Sequence, residues 1–332
     1  EPFKEGTRFM TFGLGDSSYF FFVKAAKDVE DRLVALGAKK MLSMGVGDDS
    51  AEDGMEHGLH DWLDNVWPAL EVPPPAEVPH IVPVKVEYSD KAVIRPEDDE
   101  RVLHQFFHSD AIHAVSAPVI SNTKMCRKEY NRDFRTIRFA QTGHPELQYN
   151  LGDALEIFPK NDKARVGQFL HDYSSDFGEM TVVKLHAWGI DGEISLGALF
   201  TYVLDLFGKP SKHFMQQLAT FETDEAERKE MIQTNFLKKA AKATGMTIAD
   251  ALLKFKHAQP PLPALLAMIP LIKPRAYSIA SAPSDGSSSS TIELLVLIET
   301  WWCDEGMRYG LTCNMLRKLQ AGDHVWCRIH PG

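Results

Sequence analysis

The sequence predicts a short parallel α/β segment, followed by an antiparallel β-barrel interrupted by a helical insertion. Three observations carry this prediction. The chain opens with a strand, turn, helix, strand, turn, helix alternation. Prolines Pro73, Pro74, Pro75, Pro79 and Pro83 then stiffen the chain into a linker. Beyond them, short alternating strands near 111–159 and again from Lys273 flank a stretch with helical period.

In order, Phe9 to Phe12 reads as a buried strand that breaks into the glycine-rich turn "GLGDSSY". Ala26, Val29, Leu33 and Leu36 recur on one helical face, and Gly37 stops that helix. "KKMLSMGVGDDS" is a second strand with a second Gly-Asp turn, and "GLHDWLDNVWPAL" a second helix closed by Pro68. "RPEDDE" reads as an acidic turn. "HAVSAPVISN", "RTIRFAQT" and "DALEIFPKND" are strands. From 166 to 258 the pattern is helical throughout, with Glu and Asp at helix starts and Lys at helix ends, as helix dipoles favour. "RAYSIAS", "TIELLVLIET" and "HVWCRI" return to strands, and Ser287 to Ser290 is a low-complexity loop.

The totals narrow the function. The chain has 332 residues, 44% apolar and 25% charged, which suits two or three globular domains. A net charge of -10 argues against a nucleic-acid surface. Neither a membrane span nor a signal peptide is visible. Cys126, Cys303, Cys313 and Cys327 form no C-x-x-C pair, so zinc and a disulfide framework are both disfavoured and no metal site is expected.

Three stretches carry candidate chemistry. Gly13-x-Gly15-x-x-Ser18 departs from the dinucleotide fingerprint at its third glycine, yet a strand-end turn offers backbone N–H groups where open α/β sheets bind ligands, with Tyr19 able to lie on a flat ring. In "RAYS", Arg275 suits a phosphate, Tyr277 a flat ring and Ser278 a ring nitrogen. Strand alternation puts Arg275 and Tyr277 on one face, Ala276 and Ser278 on the other. In "YGLTCNML", Gly310 opens a helix start that allows close approach of an anion. Each stretch alone also fits a plain turn, edge strand or capped helix.

Taken together, "FGLGDSSY", "GVGDD", "YNLGDALEIFPKND", "PRAYSIAS" and "YGLTCNML" resemble, in that order, the diflavin reductases. "PVISN", "LIKPRAYSIAS" and "RYGLTCNML" are most similar to the NADPH-dependent diflavin oxidoreductases of cytosolic iron–sulfur assembly, and next to the microsomal NADPH–cytochrome reductases and sulfite reductase flavoproteins. The resemblance implies the later half of a flavodoxin-like FMN domain over 1–72 and a linker over 73–100. It implies an FAD-binding barrel over 101–165 and 259–332, with an all-helical connecting domain over 166–258 between. It implies FAD here, with FMN and NADPH in the full-length enzyme, and electron flow from NADPH through FAD and FMN to a protein acceptor. That acceptor would be an anamorsin-type iron–sulfur protein, or otherwise a haem monooxygenase. A cytoplasmic location follows, or the endoplasmic reticulum through an anchor outside this chain.

The resemblance also implies residue roles. Arg275 would meet the FAD pyrophosphate, Tyr277 stack on the isoalloxazine and Ser278 act catalytically near N5, with Ala276 between them. Leu294, Leu295 and Val296 would line the flavin, and Gly310, Leu311, Thr312 and Cys313 the pyrophosphate turn. On the FMN side the loop Leu14, Gly15, Asp16, Ser17, Ser18, Tyr19, Phe20, Phe21, Phe22, Val23 would surround the ring, with Asp49 on the next loop. Val23, Phe20, Phe21, Cys313 and Thr244-Gly245-Met246 depart from the family pattern, the last where relatives place an arginine, so weaker flavin contacts are expected. The chain is expected to be a fragment lacking the FMN phosphate loop and the NADPH domain, and by itself inactive with NADPH. The opposing reading is a flavin-free docking scaffold.

Overall fold

The computed structural model describes residues 3–4, 6–50, 55–73, 81–89, 95–127, 129–141, 143–233, 236, 240, 244–283, 291–304 and 306–332. The serine run at 287–290, much of the proline stretch and part of "QTNFLKKAAKAT" fall outside them. The chain divides into two compact units, Glu1–Pro79 and His80–Gly332. No helix among the described residues is long and apolar enough to cross a membrane.

In the first unit the expected strand Phe9–Phe12 is two short pieces, β1 (Arg8–Phe9) and β2 (Phe12–Gly15). Their parallel partners are β3 (Lys39–Lys40) and β4 (Gly45–Asp48). Hydrogen bonds from Met41 N to Phe9 O and from Gly45 N to Thr11 O, both 3.0 Å, bridge the irregular stretch between them. Helix α1 (Lys24–Ala35) stops as expected before Gly37, whose φ of 92° lies in the left-handed region that glycine tolerates. Its apolar face is only half covered, and Val29, expected to face inward, is exposed. Helix α2 (Met55–Ala69) keeps Pro68 inside its last turn. Trp62 packs on Phe12 with ring centroids 5.3 Å apart. Gly45 permits this: a Cβ there would stand 2.4 Å from Trp62 and 2.5 Å from Phe12.

The second unit holds an antiparallel six-stranded sheet. Its strands are β6 (Val115–Lys124), β7 (Asp133–Ala140), β8 (Ala154–Ile157), β11 (Arg275–Ser278), β12 (Thr291–Ile298) and β15 (His324–His330). The order is β11-β8-β15-β6-β7-β12. Alternate residues Ile137, Phe139, Leu155, Ile157, Ile292 and Leu294 fill its core. The two edge strands approach at one bridge, Ile279 to Leu294, beside a 2.8 Å bond from Ala280 N to Glu293 O. Among the described residues no strand ladder closes the sheet.

A second core lies among the helices between β8 and β11. These are α4 (Lys163–Tyr173), α5 (Leu196–Tyr202), α6 (Lys212–Ala219), α7 (Glu225–Ile232), α8 (Ile248–Lys254) and α9 (Leu262–Met268). Two expectations fail here. "RPEDDE" is no turn but the start of α3 (Pro96–Phe107). Pro96 fits the first helical turn, Glu97, Asp98 and Asp99 favour its dipole, and Val102, Leu103, Phe106 and Phe107 are buried. The stretch 166–258 is also not all-helical. Strands β9 (Val182–Ala187) and β10 (Ile190–Ser195) form a hairpin, and β5 (Val86–Tyr88), from the proline-rich stretch, pairs with β9. Trp188 and Gly189 turn it with φ of 56° and 82°, the two left-handed residues of a type I′ turn. Val183 and Leu185 are buried while Lys184 and His186 are exposed, which is strand alternation rather than helical period.

Candidate functional site

Strand β11 begins after Lys273-Pro274, and proline leaves no N–H to prolong a ladder there. Arg275 is therefore the first paired residue of an edge strand, opposite Ile157, with an exposed side chain. Its Nη1 donates to Lys273 O at 3.0 Å and to Pro274 O at 3.2 Å, which fixes the guanidinium locally. It lines a cleft of about 650 Å³ between the sheet and the helices. Arg165, Lys209 and Arg308 line the same cleft, as do Asp162, Asp205 and Asp250.

The charges do not cancel. Asp162 caps α4, accepting from Ala164 N at 3.1 Å, and takes a 2.9 Å bond from Lys318 that holds its carboxyl below the usual range. Asp250 is committed to the capping box of Thr247 at the start of α8. Asp205 is different: burial pushes its carboxyl up, while Arg275 and the Gly208 N–H pull it down. Among the described residues its buried Oδ1 has no hydrogen-bond partner. Arg165 lies 3.9 Å over the Phe207 ring. Thr244 O accepts from Arg308 Nη2 at 3.2 Å, which brings a guanidinium beside Met246, where the resemblance marks a missing arginine. The cleft is a cationic pocket with one buried carboxylate, Asp205, that faces Arg275.

Hairpin β13 (Thr300–Cys303) and β14 (Gly306–Tyr309) forms one wall, and α10 (Leu311–Leu316) follows at Gly310. Tyr277 is half-buried and, like Cys313 and Met315, packs against the sheet core. Burial pushes its phenol up to about 12, although a hydrogen bond from Thr312 opposes this. Burial likewise raises the Cys313 thiol, whose Sγ lies 3.9 Å from Leu297 O, so it is a neutral packing group rather than a nucleophile. Tyr149 ties the next stretch down, its hydroxyl 2.8 Å from Ser281 Oγ and donating to Ala282 O at 2.7 Å, while Ser281 Oγ accepts from Glu293 N at 3.0 Å.

Arg275, Gly310 and Leu311 thus share the cleft, with Tyr277, Thr312 and Cys313 beside it. Ala276 and Ser278 are exposed on β11 opposite Glu156 and Ala154. Leu294 and Val296 point into the sheet core, and only Leu295 of that trio is exposed. Asp205, Arg165, Lys209 and Arg308 carried no signal in chain spacing, because they come from separate helices, loops and the β13–β14 hairpin.

The first unit brings its two predicted loops together. Asp48 Oδ1 accepts from Ser17 N at 2.8 Å, and Asp16 Oδ1 accepts from Ser18 N at 2.8 Å and from the Ser50 hydroxyl. These bonds hold both carboxyls below their ordinary range. Asp48, not singled out by the sequence, carries the side-chain link, while Asp49 N donates to Gly15 O at 2.7 Å. Leu14, Tyr19, Phe20 and Phe21 are exposed around this loop, whereas Val23 is buried with φ of 48°.

A family model described as FAD binding domain matches residues 107–315, and one described as flavodoxin matches residues 1–62. The mitochondrial pyruvate dehydrogenase (NADP(+)) of Euglena gracilis is 35% identical over all of this chain and 18% of its own length. The probable sulfite reductase (NADPH) flavoprotein component of Schizosaccharomyces pombe is 32% identical over 71% of this chain and 23% of its own. NADPH-dependent diflavin oxidoreductase 1 of Mus musculus is 26% identical over 95% of this chain and 56% of its own. The chain spans about a fifth to about half of the length of these relatives. An FAD-binding match over most of the second unit, preceded by a flavodoxin match over most of the first, places the chain in the diflavin reductase family.

Proposed function

We propose that this chain holds FAD in the cationic cleft of its second unit and serves NADPH-linked electron transfer in its parent enzyme. The observation that carries the reading is the cleft's donor set. Arg275, Lys209, Arg165 and Arg308 surround a pocket of about 650 Å³, with the half-buried Tyr277 at its margin. A cluster of guanidinium groups suits a pyrophosphate better than any neutral ligand. The residues present fit FAD: Arg275 would hold the pyrophosphate with the N–H groups that follow Gly310, and Tyr277 would pack on the ring system.

Bound FAD supplies hydride acceptance and one-electron release. The chain's own residues position it. Burial keeps Tyr277 protonated and uncharged at neutral pH, so it offers a flat, neutral face. Ser278, exposed at the end of β11, would present its hydroxyl to the reacting edge of the flavin. The sheet edges that approach at Ile279 and Leu294 belong to this reading as a barrel wound around the site's floor. In the first unit, the loop with exposed Tyr19, Phe20 and Phe21 is where an FMN ring would be met.

For the electron acceptor, the similarity to the diflavin oxidoreductases supports a cytoplasmic iron–sulfur protein of the anamorsin type. One observation favours a second reading. The Euglena relative, a pyruvate dehydrogenase by name, matches the whole chain at 35% identity. In such an enzyme NADP(+) would be the electron sink, and the same site would run in the opposite direction. Visible absorption and chromatography of flavin released by denaturation test the site: FAD at one per chain is expected, and a colourless chain that takes up no added FAD would leave the docking-scaffold reading standing. Pyruvate-dependent formation of NADPH from NADP(+) by the parent enzyme, against NADPH-dependent reduction of an added iron–sulfur protein, separates the two acceptor readings.

A further inference from the structure

We propose that Glu222, Glu227 and His257 form a binding site for one divalent transition-metal ion of the zinc class. Glu222 lies in the turn between α6 and α7, Glu227 in the first turn of α7, and His257 three residues beyond α8. One ligand atom from each lies within 4.8 Å of the others. His257 Nδ1 is 3.4 Å from Glu227 Oε2 and 4.0 Å from Glu222 Oε1. Those gaps exceed a charge-assisted hydrogen bond, at about 2.7–2.9 Å. They approach the roughly 3.3–3.4 Å that separates ligands around a tetrahedral ion with bonds of about 2.0–2.1 Å. The imidazole makes one long hydrogen bond to Glu227 and stands 4.0 Å from Glu222, so the three side chains converge closely enough for a small adjustment to seat one ion between them.

A second observation concerns the burial of the same carboxylate. The Glu222 side chain is fully buried, and among the described residues its Oε2 has no hydrogen-bond partner. Its Oε1 accepts from Asp224 N at 2.8 Å, which orients the carboxylate as outer hydrogen bonds orient metal ligands. A buried carboxylate oxygen without a partner is costly, and a bound cation removes the cost. The nearby cations are engaged elsewhere. Arg228 donates to the Glu222 backbone O at 2.6 and 3.2 Å and to Glu225 at 3.2 Å, and Lys254 pairs with Glu230 at 2.5 Å. Two carboxylates with one imidazole select zinc-class ions over magnesium or calcium, which favour all-oxygen sites. The exposed side of His257 leaves room for water as a fourth ligand. Helix α8 begins at Thr247 and Asp250, which line the cleft, so the ion would pin the far end of a cleft-forming helix to the α6–α7 turn.

The test uses the whole chain, stripped with a chelator and titrated with zinc chloride by calorimetry, with melting followed in parallel. One strong site and a zinc-dependent rise in melting temperature are expected. His257→Gln and Glu227→Gln should each weaken that site by at least about tenfold and abolish the rise. His257 is exposed, so its variant keeps the test alive should Glu222→Gln fail to fold. Unchanged zinc affinity in His257→Gln, with the ion going to cysteines instead, would overturn the assignment. So would the absence of micromolar zinc binding by the unaltered chain, and equal binding of magnesium chloride would overturn the ion class.

Discussion

Arg275→Ala is the perturbation that most directly probes the cleft. The guanidinium is held from behind by the carbonyls of Lys273 and Pro274 at 3.0 and 3.2 Å, so a pyrophosphate meets a side chain already in place. A charge-assisted pair contributes roughly 1.5–3 kcal/mol, or about ten- to a hundredfold in affinity. Arg275 is exposed, and solvent screening moves the expectation to the lower end, about tenfold. Arg165, Lys209 and Arg308 share the load and keep binding measurable. Arg275→Lys should fall between, since an ammonium keeps the charge and loses the planar fork. Quenching of FAD fluorescence on titration into the flavin-free chain gives the dissociation constant directly. Apo melting temperature should fall only modestly, through the lost attraction to the Asp205 carboxylate, because the side chain is otherwise exposed. An FAD affinity in Arg275→Ala within twofold of the unaltered chain would refute the cleft as the pyrophosphate site.

Ser278→Ala should leave FAD affinity unchanged and slow flavin reduction in the parent enzyme, seen by stopped flow; equal rates would remove its catalytic role. Asp205 offers a pH test. Its folded pKa is raised above 3.8, so the folded chain binds more protons than the unfolded one from 3.8 up to that raised value. The cost of its charge is thus present above that window and relieved as pH falls through it. Asp205→Asn should therefore flatten the pH dependence of apo melting between neutrality and about pH 4, and an unchanged slope would show that the carboxyl is not strained. Gly189→Ala, at φ of 82°, should cost about 1–2 kcal/mol in urea unfolding, whereas no loss would argue against the I′ turn.

The parts of the molecule that were legible in the sequence share a property: their signal is local. The strand that carries Arg275, Tyr277 and Ser278 is read from four consecutive residues, and Gly37 ends its helix at the next residue but one. The misread parts obeyed rules just as local but in unusual residues. Pro96 followed by three acids is a helix start, yet the same composition marks turns. The β9–β10 hairpin was hidden because Trp188, a residue rarely tolerated at positive φ, occupies half of its turn. The cleft's remaining charges were illegible for a deeper reason. Position-by-position comparison finds Met246 where an arginine is expected and infers a lost contact. A binding site responds to charge within a volume, whatever the chain order of its sources. Arg308 reaches Thr244 O from a hairpin more than sixty residues downstream and restores a guanidinium to that wall. The Met246 departure alone is therefore no ground for weak FAD binding. Met246→Arg should add little affinity, since it would crowd a second cation against Arg308, and a large gain would show that Arg308 does not serve the ligand.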